Sequence, residues 1–196
     1  MIVPIGSVIE IQKRKFVVAG YSPFLKKGEV LPAYTAVPYP LGYLSMGETL
    51  VFPIDEVDAI LEEGYEGKQE GKEQETLEKE KLLPVGSIVK IKEKKRLYMI
   101  AGFYPSSGEY VRQYAGVTYP NGMMKIQDIC MFDGKDIGTV LWKGYLDEED
   151  HVLLEALSEF LEEASGLTRE VCDFIKRVEK EKKKPEESNE ISIIME

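Results

Sequence analysis

Catalysis needs nucleophiles, acids and bases that converge on one point, and the sequence holds few candidates. The one histidine, His151, stands among Asp147, Glu148, Glu149 and Asp150. There a salt-bridged surface imidazole is expected rather than a general base. The two cysteines, Cys130 and Cys172, lie far apart. That spacing speaks against a disulfide framework and against zinc, which takes closely spaced ligands. Cys130 sits in an apolar stretch with no basic neighbour in sequence, the setting of an inert core thiol. Ser7 and Ser87 recur, each after a turn glycine and before a strand. A hydrogen bond to backbone explains them better than nucleophilicity. No Gly-Xaa-Ser-Xaa-Gly elbow, Walker loop or His-Glu-Xaa-Xaa-His pattern occurs. Carboxylates are plentiful, but mainly outside the strand-like segments. The expectation is a protein that is not an enzyme and that carries no cofactor and no metal.

What remains for function is binding through large side chains. Trp142 is the only tryptophan, and its placement needs the elements around it. A phrase near the N-terminus, "IVPIGSVIEI" (Ile2–Ile11), returns as "LLPVGSIVKI" (Leu82–Ile91). With a displacement of 80 residues, Pro4, Gly6 and Ser7 fall on Pro84, Gly86 and Ser87. Tyr39, Pro40 and Gly42 fall on Tyr119, Pro120 and Gly122, and Gly64–Tyr65 on Gly144–Tyr145. The register slips by two residues at the first hairpin, so that Ala19–Gly20 matches Ala101–Gly102. It recovers in the "SPFLKKGEVLPA" segment of the first copy, read as a loop. Indels confined to turns are what a duplicated fold tolerates.

Each copy reads as about five short antiparallel strands. Ile9 and Ile11, like Val89 and Ile91, alternate with polar residues. "FVVAGY" and "LYMIAGF" are apolar on both faces, as in a central strand. "YTAVPY" and "YAGVTY" supply a third strand, placed at an edge in the first copy because Pro38 cannot donate a ladder hydrogen bond. "ETLVF" and "DICMF" supply a fourth. After a short turn or helical turn at Ile54–Val57 and Gly134–Ile137, "AILEEGY" and "TVLWKGY" supply a fifth, with a short helix through Val57, Ile60 and Leu61 as the rival reading. Pro84 and Gly86 suit the second and fourth positions of a type I turn. The pattern suggests a small barrel or rolled sheet of the SH3-like kind. Copies of this size make marginal cores alone, so the two are expected to pack on each other.

The second copy continues into sequence that the first lacks. Asp147 can cap a helix whose Leu153, Leu157, Phe160, Leu161 and Ala164 share one face. Gly166 ends it, and Thr168 opens a second with Val171, Phe174, Ile175 and Val178. The fold class expected is α+β: two tandem β-rich repeats followed by a C-terminal αα-hairpin. The boundaries are 1–65 for repeat 1, 66–81 for a charged linker, 82–145 for repeat 2, 146–184 for the hairpin and 185–196 for a tail, apolar at Ile191–Met195. Trp142 aligns with Glu62, so one surface is wet in the first copy and covered in the second. Trp142 is either core beneath the helices or an anchor for a partner. The residues expected to bind a partner are Trp142, Tyr145, Leu153, Phe160 and Phe174.

Composition narrows the partner. The net charge of −10 argues against nucleic acid as the main ligand, although Leu82–Lys143 is locally basic and Lys90–Arg96 could serve a nucleic-acid-binding barrel. No run of about 18 uncharged apolar residues occurs, and the N-terminal residues, strand-like from the start, are not expected to be a signal peptide. The expected location is the cytoplasm, away from membranes.

The segments "LLPVGSIVKIKEKKRLYMIAGF", "YAGVTYPNGMM" and "DIGTVLWKGYLDEED" resemble a small bacterial domain family of formerly unknown function. Its pattern is Leu-Pro-Xaa-Gly-Ser, Tyr-Pro-Xaa-Gly, then Gly-Tyr and acids. The likeness covers Leu82–Leu157 closely and Ile2–Tyr65 loosely, since repeat 1 departs in its middle segment and lacks the acidic run. The family is associated with type VII secretion and LXG-type toxin loci. The resemblance implies a cytosolic chaperone or adaptor that binds a secreted toxin, with an immunity protein against a cognate toxin as the alternative. It supplies no catalytic residues. Trp142-Lys143-Gly144 and Tyr145 through Glu149 match strings of secreted type VII substrates, but they precede the helices instead of joining and following them.

Overall fold

The computed structural model describes residues 2–43, 49–67, 82–107 and 110–148, with single positions 151, 152, 155, 156, 159 and 163 beyond. Repeat 1 holds β1 (Val8–Ile11), β2 (Arg14–Lys26), β3 (Glu29–Pro38), β4 (Leu50–Pro53) and β5 (Ala59–Glu62). Repeat 2 holds β6 (Ile88–Ile91), β7 (Leu97–Phe103), the short β8 (Ser106–Ser107) and β9 (Tyr110–Val111), then β10 (Tyr114–Tyr119), β11 (Ile129–Phe132) and β12 (Ile137–Trp142). The two large sheets run β4-β3-β2-β1-β5 and β11-β10-β7-β6-β12, and β8 and β9 pair apart from them. All pairings are antiparallel. A 3₁₀ turn, Ile54–Glu56 or Gly134–Asp136, precedes each last strand. The fifth segment is a strand in both copies, so the helical alternative does not occur.

Two details of the sequence reading need correction. β3 is not an edge: it lies between β2 and β4. Pro38 is tolerated because β4 pairs only with Ala33–Ala36, so the proline stands past the end of that ladder. The Pro-Xaa-Gly-Ser turn starts one residue later than expected. Ser7 N–H donates to Pro4 O and Ser87 N–H to Pro84 O, both at 3.2 Å. Gly6 and Gly86 thus hold the third position, with φ +92° each, the requirement of a type II turn.

The "SPFLKKGEVLPA" segment of repeat 1 is a hairpin arm, not a loop. β2 and β3 pair continuously out to Lys26↔Glu29. Lys27 and Gly28, with φ 52° and 88°, make the two-residue tip favoured by strand twist. Pro23 pairs with Pro32 in its middle.

β2 explains the arrangement of the molecule. Phe16 and Val18 join Val3, Ile9, Ile11, Tyr34 and Ala36 in a core of repeat 1 alone. Val17 and Ala19, on its other face, join Val8 and Val37 in a second core that includes Ile88, Met99, Ala101 and Val117 of repeat 2. A strand apolar on both faces has two interiors to fill. The copies meet through these faces in a two-fold-like manner. Tyr43 N–H donates to Ala101 O at 2.7 Å, and Met123 N–H to Ala19 O at 2.8 Å. Each Tyr-Pro-Xaa-Gly turn, with its proline peptide cis, therefore lies on the central strand of the other copy. Gly20 and Gly102 mark those crossings: a Cβ on either would collide with the backbone of Met123 or Tyr43.

The αα-hairpin expected over 146–184 falls almost wholly outside the described residues, as does the tail 185–196. The positions described between Glu148 and Glu163 have helical backbone. His151 N–H donates to Asp147 O at 2.9 Å, consistent with a helix starting near Asp147.

Candidate partner-binding site

Of the residues expected to bind a partner, Trp142 and Tyr145 are described, while Leu153, Phe160 and Phe174 lie outside the described residues. Trp142 ends β12, opposite Ile88, as Glu62 stands opposite Val8. Its ring is half-buried and packs on Tyr65 of repeat 1, with centroids 6.4 Å apart. Tyr145 packs on Tyr39 at 5.9 Å, and by the same symmetry Tyr65 packs on Tyr119 at 5.7 Å. Each Gly-Tyr ending therefore crosses to the cis-proline turn of the other copy. Tyr119 Oη donates to Tyr65 O at 2.6 Å. The two described site residues belong to the seam between repeats.

Polar groups tie the same seam. Lys15 Nζ reaches Asp147 Oδ2 at 2.8 Å and stands 5.3 Å from the centre of the Tyr39 ring. The residues matching Lys15 and Asp147 across the pseudo-two-fold are Leu97 and Gly67. This ion pair is therefore particular to the end of repeat 2. A cleft of about 320 Å³ opens beside the seam, lined by Pro4, Ile5, Tyr21, Tyr65, Glu66, Tyr119 and Pro120. Burial raises the phenol pKa values of Tyr21 and Tyr119, with help from neighbouring tyrosines and, at Tyr119, from Glu66.

The chemistry candidates have structural partners. Ser7 and Ser87 are fully buried. Ser7 Oγ accepts the Gly64 N–H at 2.8 Å, and Ser87 Oγ the Gly144 N–H at 2.9 Å. Ser87 Oγ also donates to Pro84 O at 2.7 Å. The serines thus fasten the end of each repeat to its first turn. Tyr34 Oη accepts Val3 N–H at 2.9 Å and Tyr114 Oη accepts Leu83 N–H at 3.0 Å. Burial pushes the Tyr114 phenol up to about 12.

Cys130 is half-buried, and burial raises its thiol above the usual range despite Lys94 nearby. His151 Nδ1 lies 3.6 Å from Glu155 Oε2 at the surface. At Asp133 burial pushes the carboxyl pKa up. The Arg112 guanidinium at 2.7 Å, the Gln113 N–H at 3.0 Å and Lys135 outweigh this and bring it below the usual value. Among the described residues, no group of three or more His, Cys, Asp or Glu could hold a metal ion. No helix among them is long and apolar enough to cross a membrane.

The model of the family described as "Domain of unknown function (DUF4176)" matches residues 2–72 and again 82–153. The chain belongs to the DUF4176 family. No curated protein and no solved structure matches it. The two DUF4176 copies coincide with the two five-stranded sheets, and the second match extends past β12 to the start of the helical positions.

One feature escaped the sequence reading. Among the described residues, the large apolar side chains left exposed fall mainly in the first DUF4176 copy: Ile2, Leu25, Val30, Leu50, Val51, Ile60 and Leu61. Leu25 and Val30 face each other near the arm tip. The alignment that set Trp142 against Glu62 held the missing signal.

Proposed function

We propose that this tandem DUF4176 protein is a non-enzymatic binding module, an adaptor or chaperone that holds an LXG-type toxin before type VII export. One observation carries the binding reading: repeat 1 exposes Leu50, Val51, Ile60 and Leu61, whereas their counterparts Cys130, Met131, Val140 and Leu141 are buried or half-buried. Apolar surface left open in one copy and covered in the other marks a place for a partner. The serines and tyrosines of the family pattern support this by their employment in turns and in the seam. We read each roll as SH3-like: a four-strand meander, a 3₁₀ turn, and a fifth strand back beside the first. In such small barrels function rests on sites grafted to the scaffold. The secretion context comes from the sequence resemblance, and the proposed place of action is the cytoplasm, before export.

Co-expression with the neighbouring toxin gene tests the proposal. A stable complex is expected, with loss of toxin export when this gene is deleted. Unchanged export and toxin level after deletion would reject it. An immunity protein is the second reading, favoured by the net charge of −10, which suits a basic toxin domain. Rescue of cells from the toxin without any effect on export would select that reading instead.

A further inference from the structure

The two repeats serve as each other's control. β5 and β12 hold the same place, each an outer strand of its sheet. Ile60 pairs with Ile9 as Val140 pairs with Val89. Yet Ile60 is 41% exposed and Val140 only 4%. Charge has diverged in parallel. Asp55, Glu56, Asp58, Glu62 and Glu63 correspond to Lys135, Asp136, Gly138, Trp142 and Lys143. Around β5 every one of these positions is acidic; around β12 one is.

Some of that charge is committed. Glu56 binds Lys26 at 2.9 Å, and Asp58 accepts the Gln12 N–H at 2.6 Å. Asp55, Glu62 and Glu63 make no ion pair with any described residue. Beside the strand lies a recess of about 240 Å³ lined by Ile9, Tyr34, Ile54, Val57, Asp58, Ala59 and Ile60. Charges alone would guard a sheet edge against pairing. A guard needs neither exposed Ile60 and Leu61 nor a recess with several apolar residues in its lining beside Ile60. A second β5 would bring carboxylates against carboxylates, so another copy of this chain is a poor occupant.

We propose that β5 is a strand-addition edge for a partner segment that is extended, bears lysine or arginine, and presents apolar side chains at alternate positions. Its backbone would extend the sheet beyond β5, one apolar side chain would enter the recess, and its cations would meet Asp55, Glu62 and Glu63. This deepens the binding reading above and rests on it.

The test uses the full chain and a fluorescein-labelled peptide of alternating Lys and Ile. Saturable binding is expected, with slowed amide exchange at Ala59–Glu62. Ile60→Asp, and separately the double change Glu62→Lys/Glu63→Lys at the surface, should each weaken binding by about tenfold or more. Lys143→Glu in repeat 2 should leave it unchanged, and a peptide with Glu in place of Lys should not bind. Absent binding, protection elsewhere, or indifference to both repeat 1 variants overturns the assignment. Toxin capture separates the two claims. If the toxin is still captured while the peptide fails, only the β5 edge is lost; if the peptide binds normally and no toxin is captured, only the secretion reading is lost.

Discussion

Gly6 and Gly86 face each other across the seam. A Cβ on Gly6 would stand 2.9 Å from Gly86 O, and a Cβ on Gly86 3.0 Å from Gly6 O. The first turns of the two repeats thus meet at their family glycines, and the approach is reciprocal. Both residues also hold φ +92°, where a side chain is strained whatever the space.

Substituting the seam glycines should therefore loosen the repeats from each other. Gly102→Ala, which drives a methyl into the Tyr43 backbone, is expected to cost about 1–3 kcal/mol. Trp142, the only tryptophan, lies on Tyr65 across the seam, so its emission should shift red in the same transition. Denaturant unfolding followed by tryptophan fluorescence and by far-ultraviolet circular dichroism checks both. An unchanged midpoint would contradict the reciprocal seam.

Ser7→Ala and Ser87→Ala should each destabilise by about 1–3 kcal/mol, because Gly64 N–H or Gly144 N–H is left buried without its acceptor. The toxin capture proposed above should be unaffected in the folded fraction, since neither hydroxyl reaches solvent. Thermal melts and co-purification measure the two effects separately.

Tyr114 should make the fold sensitive to strong alkali. Its folded pKa is about 12 against an ordinary 10.0, so the folded state favours the neutral phenol. Below pH 10 both states are protonated and nothing is lost. As pH rises from about 10 to about 12, the unfolded chain ionises first and stability falls by about 2–3 kcal/mol. Tyr114→Phe should flatten that part of the stability–pH curve, at the cost of the Leu83 N–H bond at all pH values.

Asp133 works at the other end of the scale. Its folded pKa is lowered, by Arg112 and Gln113 against the effect of burial, so its contribution is present above the ordinary carboxylate pKa. It is lost as pH falls through the lower folded value. Asp133→Asn should remove this part of the acid sensitivity, read from melts at several acidic pH values. The Lys15–Asp147 pair, with side chains 34% and 30% exposed, should matter less: Lys15→Ala is expected to cost about 0–1 kcal/mol and to lose its effect in high salt.

Much of this architecture could be read from residue order. Period-two alternation at Ile9/Ile11 and Val89/Ile91 marks the first strands, and two-faced "FVVAGY" marks a central strand, without saying that its second face fills a core shared with the other copy. The tandem copies needed only Gly and Pro coincidences. The exact turn did not follow, because Pro-Xaa-Gly-Ser permits glycine at either of two adjacent positions. Only the Ser7 N–H bond to Pro4 O decides. Pro38 misled because a strand can be central along part of its length and unpaired at its end. That the copies pack on each other followed from their size, but the geometry of the seam did not: nothing local in Tyr-Pro-Xaa-Gly says that its turn rests on another copy's Gly102. For the same reason Trp142 was legible as unusual and Tyr145 as a repeated position, while nothing named Tyr65 and Tyr39 as their partners.

The face shared by Val8, Val17, Ala19 and Val37 has a consequence during synthesis. Repeat 1 leaves the ribosome complete before its sister exists. Until residues 82–145 follow, that apolar face and the backbone at Gly20 have nothing against them. Such transiently open apolar surface favours association with other chains, so the order in which the halves are made bears on how the protein comes to be folded.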